Sequence, residues 1–140
     1  MADNKHNAVW TWLQTCPHIK NLFFNFSQSD PGDTTLIPSE TVMEEYIDGS
    51  SRRRYDCVLT RIMTCSFDPN DTANIDAVTE FEQIHEWLRQ QNDSGNFPRF
   101  PQGERPDEII VLPDESGYVV AQDLTSAKYM LQFQIEYQKG

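Results

Sequence analysis

Residues 128–138, KYMLQFQIEYQ, alternate: Tyr129, Leu131, Phe133, Ile135 and Tyr137 take every second position, with Lys128, Gln132, Gln134 and Glu136 among those between. Successive side chains of a strand point to opposite faces, whereas those of a helix repeat every 3.6 residues. The pattern therefore requires a sheet with one buried face and one polar face. The rest of the chain has to supply the layer that covers the apolar side.

A second run, YDCVLTRIMTCSF, places Tyr55, Cys57, Leu59, Met63, Cys65 and Phe67 on one side of an ideal strand and Asp56, Thr60 and Thr64 on the other. Arg61 falls on the apolar side, which predicts a bend, bulge or edge position there. This run and the β-prone TVMEEYI flank DGSSRR, and an Asp-Gly pair between two such runs predicts a β-hairpin. LFFNF at 22–26, DEIIVL at 107–112 and YVVAQ at 118–122 read as further strands, the last two joined by a PDESG turn.

Two segments carry helical spacing. In NAVWTWLQTCP, Val9, Trp12, Leu13 and Cys16 form a stripe, Asp3 or Asn4 can cap the start, and Pro17 stops the helix; Trp10 lies off the stripe. In NIDAVTEFEQIHEWLRQQN, Val78, Phe81, Ile84 and Leu88 form the stripe, Trp87 widens it, Asn74 is a candidate cap and Gly95 marks the end. Turn-forming residues predict flexible loops near 27–35 and 93–106, with Phe97 and Phe100 as anchors of the second. Helix, strands, helix, strands is the order of an α+β fold, a mostly antiparallel sheet packed against two main helices.

At 140 residues with 38% hydrophobic and 11% aromatic content, the chain reads as a single domain, 1–140, with a core of its own. No run approaches the roughly 20 apolar residues of a membrane span. The N-terminal MADNKHNAVW lacks a basic region followed by an apolar core, which predicts intracellular assembly and no membrane association. A net charge of −11 argues against wrapping a nucleic-acid backbone, so no specific nucleic-acid binding is expected.

Catalytic chemistry needs reactive residue types at workable spacings, and none is found. Cys57 and Cys65 are eight positions apart on the apolar side of one strand, unlike a CxxC metal knuckle, and read as core thiols. TCPH brings Cys16 near His18, but at the end of a helix where the two point apart. His85 in EQIHEWL has no second His four residues on, hence no zincin pair. There is no phosphate loop and no dinucleotide glycine fingerprint. The expected site set is therefore empty for catalytic, cofactor-binding and metal residues.

The tripeptide RRR is the exception in so acidic a chain. On a strand Arg52 and Arg54 project together and Arg53 opposite, which suits protein contacts on two surfaces better than one phosphate patch. Arginine grips carboxylates through two parallel hydrogen bonds, so an acidic copy of the same chain is a natural partner. Arg52, Arg53 and Arg54 are thus candidate subunit-interface residues.

YIDGSSRRRYDCVL, followed by ANIDAVTEFEQIHEWLRQQN, NFPRFP and the closing QFQIEYQ, resembles the minor capsid or tail-completion proteins of tailed bacteriophages and prophages. The likeness covers most of the chain, and its pieces are architectural rather than catalytic. It implies a tail-terminator-like fold and a non-enzymatic virion protein, assembled in the bacterial host cytoplasm, that completes or terminates the tail. Such proteins form rings, commonly hexameric, at the head–tail junction, so the implied partners are further copies, the tail-tube protein and head-completion proteins. Heterologous contacts that close on themselves make such rings. A protein–protein adaptor that forms no ring is the alternative, and a small hydrolase using Cys16 or Cys57 with a histidine is a third reading.

Overall fold

The alternating run near the C-terminus lies in the middle of the sheet. The computed structural model describes residues 4–19, 22–24, 34–64, 73–112, 118–122 and 126–140. Strand β6 (Ser126–Lys139) pairs antiparallel along its length with β3 (Ser51–Thr64). Its other side is shared by β4 (Glu104–Val111) and β5 (Tyr118–Gln122), also antiparallel. β2 (Thr34–Glu45) pairs antiparallel with β3, and β1 (Leu22–Phe24) runs parallel to the first residues of β2. The six described strands form one sheet in the order β1-β2-β3-β6-β4, with β5 off this path and paired to β6, and with helices α1 (Lys5–Leu13) and α2 (Ala73–Ser94) they make an α+β fold.

Both helices cover the face that carries the apolar alternation. Val9, Trp12 and Leu13 of α1 and Phe81, Ile84 and Leu88 of α2 are buried with Leu36, Tyr55, Cys57, Leu59 and the odd-numbered series from Tyr129 to Tyr137. The Trp12 ring lies 5.1 Å from Trp87 and 6.2 Å from Phe133, which ties α1 to both α2 and the sheet. The opposite face presents Arg52, Arg54, Asp56 and Val58 of β3 beside Gln132, Gln134 and Glu136 of β6, all partly exposed. One covered and one polar face is what the alternation in β6 requires.

Local signals account for most element ends. Asn4 caps α1 by accepting a 2.8 Å hydrogen bond from the Asn7 amide, and α1 ends before Pro17. Gly95, at φ 73°, closes α2, with the Asn96 amide donating to the Gln91 carbonyl at 3.0 Å. That bond satisfies a carbonyl left free by the helix end. Ala73 opens α2, so Asn74 sits inside its first turn instead of capping it, and Val78 is exposed rather than part of the buried stripe.

Three strand boundaries differ from expectation. β2 begins at Thr34, well before TVMEEYI, and runs through Pro38. β1 pairs only with Thr34, Thr35 and Leu36, so Pro38 falls where β2 is a sheet edge among the described residues, the place where a missing N–H costs least. β3 begins at Ser51, so the three arginines belong to the strand and not to the turn. β4 begins at Glu104, leaving 95–103 as the connection after α2; the expected loop at 93–106 is shorter at both ends. Of the loop expected near 27–35, Thr34 and Thr35 lie in β2 and the remainder is outside the described residues, as are Cys65, Phe67 and the PDESG turn.

Arg61 needs neither a bulge nor an edge. β3 is flanked on both sides, its register with β6 is unbroken from Ser51 to Thr64, and the irregularity in its pairing with β2 falls between Val42 and Glu44. The side chain is buried at 3% exposure and donates to the His18 carbonyl at 3.1 Å, with Glu80 of α2 at 3.9 Å. A buried guanidinium is tolerated once its protons are satisfied, and here it ties the segment after α1 to the sheet.

Candidate functional site

The hairpin that joins β2 to β3 is built by its own turn residues. Asp48 accepts from the Ser50 amide at 3.0 Å and from its hydroxyl at 2.6 Å, and the Tyr46 amide donates to the Ser50 carbonyl at 2.9 Å. Gly49 takes φ 90°, a conformation other residues rarely adopt, and the hydrogen bonds to Ser50 hold Asp48's carboxyl below the usual range. The turn leaves Ile47 fully exposed and Val42, Met43 and Tyr46 also outward, with Glu44, Glu45 and Asp48 among them. The tip is thus apolar and acidic at once.

The arginines sit at the base of this hairpin. Arg52 and Arg54 lie on the open face and Arg53 on the helix-covered face, because β3 is regular there. Arg52 donates to both oxygens of Asp107 at 2.9 Å and to Glu136 at 3.0 and 3.2 Å. These hydrogen bonds, Asp107's above all, raise the guanidinium's pKa further above its already high value. Arg54 meets Asp56 at 2.8 Å, and Asp56 also accepts from Thr41 at 3.1 Å. Arg53 donates to the Ser51 hydroxyl at 2.9 Å. The carboxylates that meet Arg52 and Arg54 therefore belong to the same chain. Sequence spacing gave no sign of Asp107, which meets Arg52 across β6 from the register irregularity in β4 between Pro106 and Glu108.

On the covered face a polar cluster fastens α1 to the hairpin. Lys5 reaches Glu40 at 2.7 Å and Glu104 at 3.4 Å, and its ammonium stands 5.5 Å from the centre of the Tyr137 ring. The Tyr137 hydroxyl donates to Glu40, and His6 Nδ1 lies 2.8 Å from the Tyr55 hydroxyl. Burial and the hydrogen bond to Glu40 push Tyr137 up to about 12. Burial also opposes the charge on Glu40, yet Lys5 and Tyr137 overcome it and hold this carboxyl below its ordinary value. Both tyrosines are buried, so their hydroxyls bond within the chain and fasten α1 to the sheet.

The 95–103 connection folds over the same region. Phe100 packs against Tyr137 at 5.0 Å and Tyr55 at 6.2 Å, and Phe97 is also packed on the core, so both anchors engage their own chain. The Trp12 indole donates to the Asn96 carbonyl at 2.9 Å and holds the connection beside α1. Between them runs a groove of about 640 Å³ lined by Asn7, Thr11 and Trp12 on one wall and Phe97, Arg99 and Gln102 on the other. Sequence reading missed this groove because its walls are far apart in the chain.

No family model and no curated protein matches this chain.

Of the groups considered for chemistry, Cys16 follows α1, Cys57 lies in β3 and His85 in α2. Cys16 and Cys57 are buried and reduced, and burial raises both thiols, which disfavours the nucleophilic thiolate. His85 is half-buried on α2, with its pKa lowered first by burial and then by Arg89. Among the described residues no group of three or more His, Cys, Asp or Glu gathers as metal ligands would, and no helix is long and apolar enough to cross a membrane.

Proposed function

We propose that this chain is a structural virion protein of a tailed phage or prophage, assembled in the bacterial cytoplasm, which completes or terminates the tail as an oligomeric ring at the head–tail junction. The observation that carries the reading is the β2–β3 hairpin. Its turn is fixed by Asp48 and Gly49, its base is clamped by Arg52, and its tip exposes Ile47, Val42 and Met43. Several large apolar side chains exposed along one hairpin suit a docking surface. The resemblance of YIDGSSRRRYDCVL and the closing alternating strand to tail-completion proteins supplies the biological setting.

The role proposed is non-enzymatic. Raised thiols support it, as does the pairing of Lys5, Glu40 and Tyr137 with one another. Electron microscopy and sedimentation of the purified chain, alone and with a phage tail-tube protein, test the reading. Closed rings, or tubes of uniform length capped by this chain, are expected. A chain that binds the tube while remaining monomeric would favour the ringless adaptor, and one that neither associates nor binds would remove the virion role.

A further inference from the structure

We infer that the groove between α1 and the 95–103 connection receives the hairpin tip of a second copy of this chain. The inference deepens the oligomeric reading above and rests on it. In a chain of net charge −11, no described residue lining this groove carries a carboxylate, and Arg99 is its one charged residue. Its walls otherwise combine the rings of Trp12, Phe97 and Phe100 with the amides and hydroxyls of Asn7, Thr11 and Gln102. The tip is the complement: exposed Tyr46 and Ile47 for the aromatic floor, and Glu44, Glu45 and Asp48 for Arg99.

Size agrees with this pairing. A groove of about 640 Å³ has room for a few side chains of a tight turn. Both partners are ordered beforehand, the tip by the bonds to Asp48 and the groove wall by the Trp12–Asn96 bond, so little freedom is lost on association. An acidic element approaching an acid-free groove also avoids the repulsion that most of this chain's surface would impose. Tip and groove are different surfaces, so where two copies do not exchange tips reciprocally the contact is heterologous and repeats from copy to copy, closing into a ring when its rotation allows.

Sedimentation velocity of the full chain over a concentration series, with circular dichroism to verify folding, tests the contact in wild type, Ile47→Asp, Arg99→Glu and the double variant Glu44→Arg, Glu45→Arg. Ile47→Asp and Arg99→Glu are each expected to weaken association about ten-fold or more without altering the melting curve. Mixing Arg99→Glu with the double variant is expected to recover association that neither shows alone. If wild type associates and Ile47→Asp associates equally well, the tip contact is overturned while the oligomeric reading stands. If Arg99→Glu alone behaves as wild type, the groove is not where the tip docks. A wild-type chain that stays monomeric throughout, with tail-tube protein present, overturns both.

Discussion

Both terminal nitrogens of Arg52 lie 2.9 Å from the carboxylate oxygens of Asp107, across the intervening strand β6. Such two-point pairs are stronger than single contacts, but both side chains remain partly exposed, so solvent discounts the gain. Arg52→Gln should cost about 1 kcal/mol in urea titrations, less at high salt. Arg52→Glu should cost more, because it sets a third carboxylate beside Asp107 and Glu136. Equal stability of wild type and Arg52→Glu would mean that the clamp does not form in solution.

The Lys5–Glu40–Tyr137 cluster predicts a pH profile. Glu40 has a folded pKa below its ordinary 4.5, so its contribution is present above that value and is lost as pH falls through the depressed folded value. Tyr137 is raised from 10.0 to about 12, so its contribution is full below 10.0 and declines as pH rises toward about 12. Lys5 is raised above 10.5, since its partners outweigh burial, and declines over the same alkaline range. Melting temperature followed against pH should fall at both ends, and Glu40→Gln should flatten the acid limb. An acid limb unchanged by Glu40→Gln would assign the loss elsewhere.

Trp12 joins three parts of the molecule, stacking near Trp87 and Phe133 while donating to Asn96. Trp12→Ala should cost about 3–5 kcal/mol in chemical denaturation. Trp12→Phe keeps most of the packing and should cost less, roughly the lost hydrogen bond and part of the ring. A Trp12→Ala protein as stable as wild type would indicate that α1 does not rest on the sheet.

A Cβ added at Gly49 would meet nothing within 4 Å, so any cost of Gly49→Ala is backbone strain at φ 90°. A loss of about 1 kcal/mol is expected, measurable by calorimetry. Absence of a loss would imply that the turn relaxes freely, and with it the fixed tip that the proposed docking requires.

In a Cys65→Ser variant, Cys16 and Cys57 should react with an aromatic disulfide reagent only as fast as the protein opens, because burial hides and raises both. Fast labelling of one of them in the native state, abolished by replacing a histidine, would restore the hydrolase reading.

What could be read from the residues depended on how far apart the interacting groups lie. The alternation in β6, the Asp-Gly turn and the stripe Phe81, Ile84, Leu88 are local patterns, and all appear in the fold. The early start of β2 was hidden because Pro38 looks like a breaker until the strand is known to be an edge. Arg61 looked like a pattern error because its acceptor, the His18 carbonyl, is a backbone atom that no composition reveals. The groove was illegible for the same reason: Thr11 and Phe97 become neighbours only after both helices dock on the sheet.

The strand that pairs with β3, β4 and β5 is the last of those described to leave the ribosome. Until β6 emerges, β3 lacks one neighbour and β4 and β5 lack their shared one, while the hairpin tip and the apolar halves of both helices are already made. Synthesis at about 5–20 residues per second makes that wait one of seconds, during which unpaired edges are open to other chains. A substitution that slows the pairing of β6 therefore lengthens the exposure of those edges, and aggregation during synthesis is its expected consequence.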